Sequence, residues 1–201
     1  MFSFLSQRVV EYALKRNAIK SEDKELYLFG YQLLIANIIT VISLLIISLI
    51  FGYVVETLIF IVFLFPLRIY AGGFHQRTQE LCYISTVVAY TIVLTFVKFA
   101  TSLLSPLVCI LAFLSSSGII ILLAPLEDPN KPLSTEECRK YKITTLITST
   151  IELVLFALAV FFNFNLDTLI FMALAPVVVS VLLLASFSKI LFSGSKIRFR
   201  D

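Results

Sequence analysis

LYLFGYQLLIANIITVISLLIISLIF, residues 26–51, runs for 26 residues without one acidic or basic side chain. As a helix it would be about 39 Å long, enough to cross a hydrocarbon layer of about 30 Å. Apolar residues do not alternate with polar ones along it, so it does not read as a barrel strand. In lipid only a helix or a closed barrel pairs every backbone group. Similar blocks recur at approximately 54–67, 79–100, 104–123, 143–162 and 168–188. The pattern predicts an all-α, polytopic membrane protein with six transmembrane helices in a single membrane-embedded domain over residues 1–201. The composition agrees: 59% hydrophobic residues, mean hydropathy +0.99 and 19 Phe leave little material for a separate soluble domain. The second block is short, about 14 residues, which suits a tilted span or part of a re-entrant hairpin. The Gly52-Tyr53 break before it is a very tight turn between two complete spans.

Charge placement orients the spans. Arg8, Lys15, Arg16, Lys20 and Lys24 precede the first span, and Arg68 and Arg77 lie between the second and third. Lys131, Arg139, Lys140 and Lys142 precede the fifth, and Lys189, Lys196, Arg198 and Arg200 follow the sixth. With both termini inside, Lys98 alone of the 16 basic residues falls outside. By the positive-inside rule both termini and the 68–77 segment are expected in the cytosol of a multi-pass membrane protein. Residues 1–17 read as an amphipathic interfacial helix, with Phe2, Leu5, Val9, Tyr12 and Ala13 on one face and Arg8, Glu11, Lys15 and Arg16 largely on the other. Packing on the protein's own cytosolic side fits the same pattern. The charges interrupt any apolar core of a cleavable signal peptide, so none is expected.

Two polar segments remain. The first runs Arg68-Ile-Tyr-Ala-Gly72-Gly73-Phe-His75-Gln-Arg77-Thr-Gln-Glu80-Leu-Cys82 and holds the chain's single histidine. Histidine titrates near neutral pH and suits a general base. Positions 75 and 82 would lie about 10 Å apart along one continuous helix, too far for proton transfer. If the helix starts near Thr78, the glycine pair lets His75 fold back toward Cys82. The bland alternatives make His75 a helix-packing group and Cys82 a small packing residue. The second segment is Pro125-Leu-Glu127-Asp128-Pro-Asn130-Lys131-Pro132-Leu-Ser134-Thr-Glu136-Glu137-Cys138-Arg139-Lys140. It is turn-rich, and Ser134 with Glu137 has the spacing of a capping box.

Cys109 reads as packing, and Cys138 has no histidine near it in sequence. No disulfide is expected at a reducing cytosolic face, and one His with scattered Cys gives no metal set. No cofactor is implied. The positive cytosolic loops suit an acidic peptide or anionic lipid, with Arg77, Lys131, Arg139 and Lys140 as candidate contacts, whereas nucleic acid is a poor fit. Glu152, halfway along the fifth span, supports a rival reading as a small transporter or proton-coupled exporter. Asn37, Ser43 and Ser48 could add a polar path or make ordinary interhelical hydrogen bonds. A non-enzymatic membrane scaffold is the other alternative.

The motif Arg68-x-x-Ala71-Gly72-Gly73-Phe74-His75 with Cys82 resembles the signature of the accessory gene regulator B family, membrane endopeptidases that process quorum-sensing peptide precursors in Gram-positive bacteria. The Pro125…Asn130-Lys131-Pro132-Leu133-Ser134 loop, the amphipathic start and the six spans extend the likeness over nearly the whole chain. The resemblance implies a bacterial cell membrane protein with Cys82 as nucleophile and His75 as its base and later acid. Arg68, Gly72 and Gly73 would support them. It implies a precursor substrate with an amphipathic leader and an acidic C-terminal tail. Tail release through a Cys82 acyl-enzyme would be followed by closure of a thiolactone or lactone ring. It further implies a homodimer.

Overall fold

The computed structural model describes residues 2–16, 18–72, 79–100, 104–126 and 134–192. They form seven α-helices: α1 (Phe2–Lys15), α2 (Lys24–Phe51), α3 (Val54–Ala71), α4 (Gln79–Ala100), α5 (Pro106–Leu123), α6 (Thr135–Phe161) and α7 (Leu166–Phe192), with a 3-10 turn at Ser21–Asp23. Six of them, α2 to α7, are long and apolar enough to cross a membrane, as the apolar blocks lead one to expect.

The second span differs from its sequence reading. α3 has 18 residues rather than about 14 and continues through Pro66 and Arg68 to Ala71. Proline removes one helical hydrogen bond but does not end a helix whose packed neighbours hold it. Leu64, Leu67 and Ala71 are all buried around it. The break before α3 is as tight as the sequence suggests. Gly52 adopts a left-handed conformation (φ 83°) and its N–H donates to the Ser48 carbonyl at 2.8 Å, the helix-ending geometry that glycine permits.

The helices fall into two compact units. The first comprises α1, the 3-10 turn, α2 and α4 as far as Thr95. Here α1 packs along α2, and its buried edge is Phe2, Ser6 and Val10. Leu5, Val9 and Tyr12 lie exposed beside that edge. The small Ser6, whose hydroxyl donates to the Ser3 carbonyl, allows that edge to sit close. α1 thus carries two apolar stripes, one packed on protein and one suited to lipid. Phe2 meets the Tyr83 ring edge-on at 5.8 Å, and the Tyr83 hydroxyl hydrogen-bonds Ser43 at 2.9 Å. Ser48 donates back to the Leu45 carbonyl, and Asn37 is exposed, so Ser43 and Ser48 make ordinary hydrogen bonds.

The second unit comprises α3, the end of α4, α5, α6 and α7. α7 is its core, with its most extensive contacts to α5 and α3. Phe171 packs against Tyr53 and Phe60, and α5 meets α6 where Phe113 stacks on Phe156 at 4.3 Å. Lipid tails are as apolar as leucine, so helices associate there by close fit, which small residues permit. Ala173 and Ala175 fill that role on α7. Ala175→Leu is expected to cost about 1–3 kcal/mol by overpacking, read as a lower thermal midpoint in detergent. Leu122→Ala, at a side chain 78% exposed, should leave that midpoint nearly unchanged.

Candidate functional site

Cys82 lies in the first described turns of α4, three residues after Gln79, and is a half-buried free thiol. Its carbonyl accepts hydrogen bonds from the hydroxyls of Ser85 (3.0 Å) and Thr86 (2.8 Å). Tyr83, the next residue, fixes the rotation of this part of α4 through Phe2 and Ser43. The backbone at Cys82 is therefore held from its own helix and from two neighbouring elements of the first unit. His75, Gly73, Arg77 and Lys131 lie outside the described residues, so the expected approach of His75 to Cys82 does too.

The second unit holds the other expected positions. Arg68 is half-buried in the last turn of α3. Gly72 caps that helix with φ 73° and ψ −145°, a conformation open to glycine and strained for other residues. Gly72 also makes a close approach. The close approach is to this chain's own backbone: a Cβ on Gly72 would stand 2.6 Å from the Leu126 carbonyl oxygen. The Leu126 N–H donates to the Ala71 carbonyl at 3.2 Å, and Gly72 and Leu126 form an isolated parallel bridge. Thus the two polar segments meet, and α3 and α5 finish at the same end of the unit.

α6 starts at that end. Its N-terminus carries the expected capping box, in which the Ser134 N–H donates to Glu137 Oε2 at 2.8 Å and the Glu137 N–H donates to Ser134 Oγ at 3.2 Å. The helix begins at Thr135, eight residues before the apolar run at 143. Tyr141 then packs edge-on against Tyr70 of α3 at 5.9 Å. Arg139 and Lys140 are exposed in these first turns and, with Glu136, Ile143 and Thr144, line a shallow open hollow. Sequence reasoning missed Leu126, the Tyr70–Tyr141 pair and the Tyr83 anchor. Only Gly72 gave a one-dimensional hint of the first. Among the described residues no group of three His, Cys, Asp or Glu side chains could hold a metal ion.

The match to known proteins covers both segments. The family model for accessory gene regulator B matches residues 6–188. This chain belongs to the accessory gene regulator B family. It is 29% identical over 171 residues to AgrB-like protein 2 of Clostridium perfringens strain 13, covering 82% of this chain and 80% of that protein. It is 29% identical over 172 residues to an AgrB-like protein of Clostridium perfringens strain SM101, covering 83% and 80%. AgrB-like protein 1 of strain 13 is 30% identical over 143 residues, 71% of this chain and 75% of its own length. No solved structure matches.

Gly72→Ala is expected to destabilise the AgrB-family fold by roughly 2 kcal/mol or more, because strain at positive φ adds to a backbone collision. Ser134→Ala, which removes one cap, should cost only about 1 kcal/mol. Thermal melts of both variants in the same detergent give the order.

Proposed function

We propose that this chain is a membrane cysteine endopeptidase that cuts the acidic C-terminal tail from a small amphipathic peptide precursor. The observation that carries the proposal is the half-buried Cys82 thiol in the opening turns of α4, within a chain matched to the accessory gene regulator B family over residues 6–188. Membership supports a part in the accessory gene regulator system, and the reaction is what the resemblance implies for Cys82 and His75.

In this mechanism His75 takes the Cys82 proton, and the thiolate attacks the carbonyl carbon at the junction between the central segment and the tail. The carbon–nitrogen bond breaks, His75 returns the proton to the leaving amine, and a thioester remains on Cys82. A thiol or hydroxyl of the precursor then attacks that thioester, restoring the Cys82 thiol and closing a thiolactone or lactone ring. Exchanging a thioester for a thiolactone needs no nucleotide, but water must stay away from the acyl-enzyme. Cys82, partly covered at the start of a spanning helix, suits that need.

Arg68 and the glycine pair hold the segment that carries His75. Gly72 supports this by anchoring the end of α3 to Leu126. Arg77, Lys131, Arg139 and Lys140 bind the acidic tail, and the last two are exposed on the capped start of α6. The amphipathic leader lies in the membrane beside the protein. Both termini and these segments face the cytosol, where fifteen of the sixteen basic residues then lie, and the enzyme works as a homodimer in the bacterial cell membrane.

Purified protein and a cognate precursor in vesicles test the mechanism. Cys82→Ala and His75→Ala should each reduce tail release by about a thousandfold or more, with normal insertion checked by protease protection. Tail release at the normal rate by Cys82→Ala would sink the proposal. Arg139→Ala with Lys140→Ala should raise KM several-fold with little change in kcat, and high salt should mimic it.

A further inference from the structure

Glu152 is the one ionisable residue in the otherwise charge-free stretch 143–161 of α6 and lies midway along it. Its side chain is only 5% exposed. The same buried face carries Thr145 and Ser149, ahead of Phe156 and Ala159. These positions follow a spacing of four, three, four and three residues, which puts them on one stripe. In this stripe Thr145 Oγ1, Ser149 Oγ and Glu152 Oε1 are buried without a hydrogen-bond partner among the described residues.

The neighbouring hydroxyls behave differently. Thr144, which is half-buried, donates to the Lys140 carbonyl at 2.9 Å, and the exposed Thr150 donates to the Leu146 carbonyl at 2.8 Å. Ser116 on α5 and Ser180 on α7, which are buried, also donate to carbonyls of their own helices. Satisfying a hydroxyl locally is thus the habit of this bundle, and the face bearing Glu152 departs from it. Buried polar atoms left open in consecutive turns call for a small hydrogen-bonding occupant between them.

We propose that Thr145, Ser149 and Glu152 line a narrow hydrated proton-binding site on the buried face of α6, with the Glu152 carboxyl holding the proton. Side chains three or four positions apart on a helix have Cβ atoms about 5–6 Å apart. A water between Thr145 and Ser149, and another between Ser149 and Glu152, would each have two protein partners. The file leads toward the polar start of α6, since Thr145 lies three residues beyond Lys142 and Glu152 lies about 10 Å further along the axis.

The surroundings favour the neutral acid over a carboxylate. α3, which makes the most extensive contacts with α6, carries Glu56 and Arg68 near its two ends and apolar or hydroxyl side chains at its buried positions. α5 has no charged residue. α7 has Asp167 in its first turn and Lys189 near its end. On α6 itself the nearest charged residue in sequence is Lys142, about 15 Å along the axis. Along the described parts of α3, α5, α6 and α7 no cationic residue lies level with Glu152 in the middle of its helix, and an unpaired charge there is expensive. The site does not depend on the peptidase mechanism, so either can fail without the other.

Infrared spectroscopy of the full chain in lipid nanodiscs at neutral pH tests it, with 13C-labelled glutamate to separate Glu152 from Asp167. Exposed carboxyls are ionised under these conditions, which isolates a buried acid. One carboxylic-acid C=O band should move with the label, vanish in Glu152→Gln, and shift promptly in D2O. Thr145→Val with Ser149→Ala should retain the band and slow its deuterium shift by at least tenfold. Absence of a label-sensitive acid band would overturn the proposal. So would a band that does not exchange, or one whose exchange is unaffected by the double variant. The double variant keeps Glu152 and therefore tests the site even if Glu152→Gln does not fold.

Discussion

The backbone of Leu126 passes so close to Gly72 that no methyl group fits between them. This contact holds two helix ends together where ordinary helix packing could not, because side chains on both strands would keep the backbones apart. The Leu126 to Ala71 hydrogen bond then satisfies a carbonyl at the end of α3, which its own helix leaves open. From that fixed point α5 leads into the second polar segment, and the Ser134–Glu137 cap starts α6 beside α3, where Tyr70 receives Tyr141. The order of α3, α5 and α6 at this end rests on one residue's lack of a side chain.

Deeper in the second unit a different economy applies. Lipid gives no hydrophobic reason for one helix to prefer another over the surrounding chains. Specificity comes from close fit, and α7 supplies it: its small residues admit neighbours, while Phe171 fills the space beside Tyr53 and Phe60. Large exposed hydrophobics on α2, such as Leu49 and Ile50, carry no penalty when lipid takes the place of water. The polar face of α6 stands out against this background because its hydroxyls lack the local bonds made elsewhere.

Much of this architecture was legible in the sequence because lipid enforces length and apolarity on each span separately. The run from 26 to 51 and the four later long blocks needed no knowledge of their neighbours. The α3 end was less legible: Arg68 and Pro66 look like a boundary, yet burial of Leu67 and Ala71 carries the helix through. The packed edge of α1 was less legible for a related reason, since hydropathy ranks Leu5 and Val9 above Ser6 while close packing favours the small residue. Within the candidate site, the Ser134–Glu137 cap is a local code and could be read. Gly72 declared a special conformation but not its partner, because the 53 residues separating it from Leu126 carry no signal that pairs the two. Tyr83 was invisible for the same reason, as an aromatic in an apolar block looks like any other.

The early start of α6 has a geometrical consequence. A helix of 27 residues spans about 40 Å, against about 30 Å of hydrocarbon. Its capped turns, with Arg139 and Lys140, therefore extend past the apolar stretch as a stiff post rather than a slack loop. The height of those charges above the bilayer is set by helical rise, and the Ser134–Glu137 cap keeps the post from fraying. In the proposed mechanism an acidic tail docking there would meet cations already spaced, so little order would have to be created on binding. The same rigidity makes the post a ruler, fixing how far Arg139 and Lys140 stand from the apolar stretch that begins at Ile143.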